Sequence, residues 1–187
     1  MKSFIIVSLT SLLIGVIALG SGAYNMAATE KHWFITEKII EWVRNSSIES
    51  RAKDLQVPSL DDKDFLLAGV GHYAAMCIEC HSAPGQELTE LSQGLYPQAP
   101  IFYKQEPTAD PEEKVVHIKT YFWVIKNGLK MTAMPAWGLS HDDETIWAMA
   151  IFVDKLKGMT TEQYDKLIVS GNGHGHHHNH NHNHGHE

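Results

Sequence analysis

The sequence predicts a helical protein: one apolar N-terminal helix, then several further helices separated by loops. Three observations carry this. Residues 4–20 read FIIVSLTSLLIGVIALG and are almost wholly apolar. Stretches near 30–52, 61–77, 113–127 and 140–158 read as helices, with a short one expected around 161–168. Residues 82–113 hold five prolines and two glycines, which points to loop.

The first segment carries no charge between Lys2 and Glu30. A secretory h-region is usually ~7–15 residues and a spanning helix ~20, so this run falls between them. We expect an uncleaved signal-anchor over residues 1–29. Cleavage near Ser21, Gly22 and Ala23 is the alternative. Either way the rest of the chain is exported, with Lys2 left inside.

Residues 30–59 are expected to form a juxtamembrane helix and linker. Trp33, Phe34, Ile39, Ile40, Trp42 and Val43 make its apolar stripe, and Glu37, Lys38, Glu41 and Arg44 take the other face. The two tryptophans suit either a membrane interface or a core. Val57-Pro58 breaks the pattern. A folded domain is expected over 60–170. Its first helix begins at Asp61 and Asp62 and ends near Cys77. Gly128 suits the C-terminal cap of the 113–127 helix. Ser140 to Asp143 resembles a capping box for the last long helix, whose apolar face is Ile146, Trp147, Ala150, Ile151 and Val153.

The chain has 187 residues, 43% of them hydrophobic, which suffices for one modest core with attachments. A formal net charge of -7 and no run of Lys and Arg argue against nucleic-acid binding. From residue 171 the composition changes to a His-, Asn- and Gly-rich tail with no apolar residue, expected to be disordered.

The only two cysteines lie in Cys77-Ile78-Glu79-Cys80-His81, a C-x-x-C-H motif. A redox disulfide at this spacing belongs with a βαβ context, and these surroundings read as helical. A structural zinc site needs a second ligand pair, which the sequence lacks. Covalent haem c fits best: two thioether links from Cys77 and Cys80, with His81 as an iron ligand. For the sixth position, Met134 precedes Pro135, which pushes it towards extended backbone on a stiff loop. Met131 is the alternative, and gap-filling core methionines are the plain reading.

Three segments in order carry a resemblance. Gly69-x-x-x-Tyr73-x-x-x-Cys77-x-x-Cys80-His81, then NGLKMTAMPAWG, then DDETIWAMAIFVDKL are similar to the motifs of class I c-type cytochromes. HSAPG...GLYPQAPIF and YFWVIKNGLKMTAMPAW resemble more closely a subgroup of membrane-anchored monohaem bacterial cytochromes. The likeness covers residues about 62–158. It implies an all-α, cytochrome c-like fold around one covalent haem, with the first and last helices crossing at Gly69 beside Tyr73 and Phe152. It places Tyr73, Pro135 and Trp137 in the haem environment. Ser82 stands where such proteins commonly have glycine, and little consequence is expected. No single carbonyl stands out as the partner of the His81 ring.

His72, His117 and His141 are expected at the surface or at helix ends, with bis-His ligation a minor alternative. His32 is juxtamembrane. Eight of the thirteen histidines crowd the tail: His174, His176, His177, His178, His180, His182, His184 and His186. Imidazoles at this density suit Cu, Ni or Zn. An affinity tag is the bland reading, but the alternation with Asn favours a native segment.

The expected function is single-electron transfer between redox proteins by transient contact, with no small-molecule substrate and no nucleic acid. The expected location is the bacterial inner membrane, with the haem domain in the periplasm. The alternatives are a haem-based sensor with an open sixth position, or a metal-binding module acting through the tail.

Overall fold

A computed structural model describes residues 1–59 and 63–172. The expected helix start at Asp61 and Asp62 and all eight tail histidines lie outside the described residues. The described residues are all-helical, without a strand. The chain divides into two compact units, Met1–Trp42 and Val43–Glu187.

In the first unit, helix α1 (Lys2–Gly20) is long and apolar enough to cross a membrane, and none of its residues is buried. Helix α2 (Phe34–Ala52) begins in this unit and runs on into the second. Its last turns bury Ile48 and Ala52.

After α2 the second unit continues with α3 (Lys63–His72), one π-helical turn (Tyr73–Cys77) and α4 (Ile78–His81). The helix expected to end near Cys77 therefore runs through the whole motif. It stops at Ser82, whose φ of 57° and ψ of 176° cannot continue a helix. The expected loop after it is partly ordered by α5 (Glu90–Gln93), which Thr89 caps through Ser92 N–H, and by a 3₁₀ turn, Phe102–Lys104.

Helix α6 (Pro111–Asn127) starts two residues earlier than its pattern suggests. The Asp110 carboxylate accepts from Glu112 N–H at 2.9 Å, and Pro111 takes a first-turn position where its missing N–H loses nothing. Gly128, at φ 66°, ends it as expected. Helix α7 (Asp143–Leu156) is capped by Asp142, which accepts from Thr145 N–H at 2.8 Å, and not by Ser140. Helix α8 (Thr161–Asn172) runs beyond the expected end near 168.

Helix α7 is the centre of the core. Ile146, Met149, Phe152 and Leu156 are fully buried on it, each worth ~1.5–3 kcal/mol on transfer from water. Helices α3 and α6 pack on α7, and α8 packs on α3. The α3–α7 crossing lies where the resemblance puts it. A Cβ on Gly69 would stand 2.8 Å from Phe152 Cβ and meet the Ala148 carbonyl, so only glycine permits this approach. Tyr73 and Phe152 meet edge to face at 5.3 Å beside it. Phe122 of α6 stacks on Trp147 of α7 at 3.8 Å.

One polar group in this core is ionic. Lys157 and Asp154 are both 7% exposed and lie 3.2 Å apart. Lys157 Nζ also reaches His117 Nδ1 at 3.0 Å and Thr108 Oγ1 at 3.3 Å, tying the end of α7 to α6 and the preceding loop.

Candidate functional site

A cavity of about 420 Å³ opens in the second unit among the last turns of α2, the π turn, α4, α6, α7 and the connecting loops. Met76, Val124, Ile125, Met149 and Val153 make much of its wall apolar. The motif residues Cys77, Cys80 and His81 line it, as do Tyr73, Met134, Pro135 and Trp137. Seven residues singled out in the sequence thus share one cavity, although Met134 lies 57 positions after Cys77 and Trp137 lies 60 after it.

The π turn and α4 set the motif. Cys77 and Cys80 are not bonded to each other. Burial, with Cys80 as a second contribution, pushes the Cys77 thiol up to about 12, so it is held as the neutral thiol. The Tyr73 phenol is fully buried and donates to the Ser82 carbonyl at 2.7 Å. Its own pKa is raised by burial. That bond grips the carbonyl next to His81.

His81 is oriented from two sides. Its Nδ1 lies 2.9 Å from the Pro100 carbonyl, which can only accept, so Nδ1 carries the proton and Nε2 keeps its lone pair. The ring stacks on Phe102 at 4.9 Å. Burial lowers the His81 pKa, while the Pro100 bond opposes this. Burial dominates, which favours a neutral imidazole with its proton on Nδ1 and one free ring nitrogen, the form that binds metals.

The stretch that carries Pro100 is tethered to the motif. Ser92, fully buried, donates from Oγ to the Cys80 carbonyl at 2.8 Å. Gln98 Nε2 donates to the Ser92 carbonyl at 2.9 Å and to its hydroxyl at 3.1 Å. Thr89 Oγ1 donates to the Glu79 carbonyl. Sequence reasoning missed this set, because Ser, Thr and Gln in a proline-rich stretch look like ordinary solvated loop.

The Met134 loop is held at several points. Leu129 N–H donates to the Met134 carbonyl at 3.2 Å, and Met134 N–H donates to Thr132 Oγ1 at 3.1 Å. Thr132 Oγ1 donates in turn to the Leu129 carbonyl at 2.8 Å. Gly128 lies beneath: a Cβ there would be 2.8 Å from the Met134 carbonyl oxygen. Met131 is 82% exposed and is not part of the cavity wall.

His72, His117 and His141 do not line the cavity. His72 meets His141 edge to face at 5.5 Å, and His141 also meets Trp137. Two contributors from α2 were not foreseen as site residues: Arg44 and Ile48 line the cavity from outside the motif region.

Haem fits these residues. The cavity lies within the ~300–1,000 Å³ of small-molecule sites and is mostly apolar, as a porphyrin face requires. Two thiols, one imidazole with an open nitrogen and one thioether supply the donor set of a c-type centre. Arg44 supplies a cation for carboxylate side chains.

Residues 65–153 match the family described as cytochrome c oxidase, cbb3-type, subunit III. The match covers just under half of the chain and contains every described cavity residue named above except Arg44 and Ile48. No curated protein and no solved structure matches the chain. Motif, helical fold and family match converge: the chain carries a c-type cytochrome domain.

Proposed function

We propose that the protein is a membrane-anchored electron carrier with one haem c, bound through Cys77 and Cys80 and ligated by His81 and Met134. The observation that carries this reading is the sharing of one apolar cavity by the C-x-x-C-H motif and Met134. Such a haem supplies a one-electron Fe(III)/Fe(II) couple.

The chain's own residues do the rest. Pro100 holds the proton on His81 Nδ1 and leaves Nε2 the lone pair that would bind a metal. The Leu129, Thr132 and Gly128 contacts keep the Met134 loop in one conformation, which limits reorganisation between oxidation states. The apolar wall keeps water out and, with a thioether ligand, favours the reduced state. Anchoring by α1, with the domain in the periplasm, would confine the carrier near redox proteins at the membrane surface.

The test is a haem stain on a denaturing gel with a pyridine haemochrome spectrum, on membrane and soluble fractions. We expect one covalently retained haem per chain in the membrane fraction, and loss of retention in the Cys77→Ala, Cys80→Ala double variant. Haem that leaves the native chain on denaturation contradicts covalent attachment. A soluble haem protein contradicts the anchor alone.

We also propose that the tail binds Cu(II), Ni(II) or Zn(II), on the strength of its eight imidazoles. Isothermal titration should show metal binding that disappears on truncation after Ser170. Binding that is the same with and without the tail contradicts this.

A further inference from the structure

We infer that the first half of α2 lies in the headgroup region of a lipid bilayer, with Ile35, Ile39 and Trp42 as its lipid-facing stripe. The inference rests on the proposed reading of α1 as a membrane span.

The three residues are spaced four and three apart, so they stand on one face of the helix. They are 64%, 54% and 71% exposed. Glu37 and Glu41 fall on the opposite side by helical spacing, and Lys38 folds back to Glu41 at 2.8 Å. At the start of the helix, Trp33 and Phe34 are 53% and 73% exposed. Contiguous exposed apolar surface of this kind marks a contact with a partner or a membrane.

The chain itself indicates the membrane. Tyr24 is only four residues past the end of α1. Its hydroxyl lies 2.6 Å from His32 Nδ1, and its ring meets Trp33 edge to face at 4.8 Å. This clasp folds the connector back on itself. The start of α2 is therefore held within about four residues of chain, roughly 14 Å, of the end of the span, plus one ring contact. The headgroup region, roughly 5–8 Å per leaflet, falls within this reach, and Trp and Tyr concentrate there. The first half of α2 carries only Glu37, Lys38 and Glu41 as charged groups, so electrostatic attraction to anionic lipid is not the driving force. Apolar and indole burial drives the docking, and a neutral bilayer suffices.

The test uses the full-length holoprotein in phosphatidylcholine vesicles. Nitroxide labels go on single-cysteine variants Ile39→Cys, Glu37→Cys and Ile14→Cys. The unsubstituted protein serves as a control for labelling at Cys77 and Cys80. Relaxation by oxygen is compared with relaxation by a water-soluble nickel chelate. We expect the label at 39 to favour oxygen over nickel several-fold, equally at low and high salt, and the label at 37 to show the reverse. If 39 reports water while 14 reports lipid, docking is wrong and the anchor stands. If 14 also reports water, the anchor reading fails and the inference falls with it. If 39 is shielded from both reagents, protein covers the stripe and the lipid assignment is overturned.

Discussion

Ser82 shows what one side chain does beside the haem motif. At φ 57° and ψ 176° it occupies a region that essentially only glycine tolerates, and it is 1% exposed. Such a conformation costs on the order of 1–3 kcal/mol, partly offset by the Ser82 Oγ bond to the Gln86 carbonyl at 3.2 Å. The strain persists because Tyr73 pins the Ser82 carbonyl. Ser82→Gly should therefore stabilise the protein by up to ~1 kcal/mol, read as a higher guanidinium midpoint with the haem spectrum unchanged. A lower midpoint would mean that the hydroxyl bond outweighs the strain. The resemblance marks Ser82 as a departure but not its consequence, since a backbone angle is set by the turn around it. Pro100 was equally hidden. Any carbonyl between His81 and Pro100 could have met the ring, and tertiary folding makes the choice.

At the scale of elements, the clearest tests lie at two glycines. Gly69→Ala drives a methyl into the Ala148 carbonyl and Phe152, at a cost of about 2–3 kcal/mol from overpacking, and should lower the thermal midpoint without moving the axial ligands. Gly128→Ala acts on the Met134 loop, both through its φ of 66° and through the close Met134 carbonyl. It should weaken the sulfur-to-iron charge-transfer band of the ferric protein while covalent haem is kept. An unchanged band would show that the loop does not depend on this contact. A third test concerns the buried ion pair. Lys157→Ala leaves the buried Asp154 with only Lys114, 3.8 Å away, and removes the link to His117 and Thr108, which should destabilise by up to about 3 kcal/mol in a denaturant melt. Helix existence was readable from the pattern in each of these elements, but boundaries were not always. Asp110 and Asp142 cap α6 and α7 because their carboxylates reach N–H groups two and three residues on, and neighbouring polar residues offered similar signals. The π turn at Tyr73–Cys77 left no trace in the apolar periodicity.

Across the whole molecule, the cytochrome domain was legible because its chemistry is local. The motif, the methionine loop and the final helix are short contiguous segments in a fixed order. The contribution of α2 to the cavity was not legible, since Arg44 and Ile48 lie outside that order and within a helix that resembles a simple linker. Arg44 brings a positive charge to the proposed haem. Arg44→Leu should lower the midpoint potential by about 1 kcal/mol, roughly 40 mV for one electron, in a redox titration. No change would place Arg44 out of electrostatic reach. Electron transfer without ligand binding depends on the proposed His81–Met134 axial pair. The most direct measurement is the optical spectrum of the full-length ferric protein and of Met134→Ala, followed by carbon monoxide addition after reduction. We expect a sulfur-to-iron band in the native protein, absent from Met134→Ala, with rapid carbon monoxide binding only in the variant. A native protein that lacks the band and binds carbon monoxide at once would contradict the axial pair and favour a haem-based sensor.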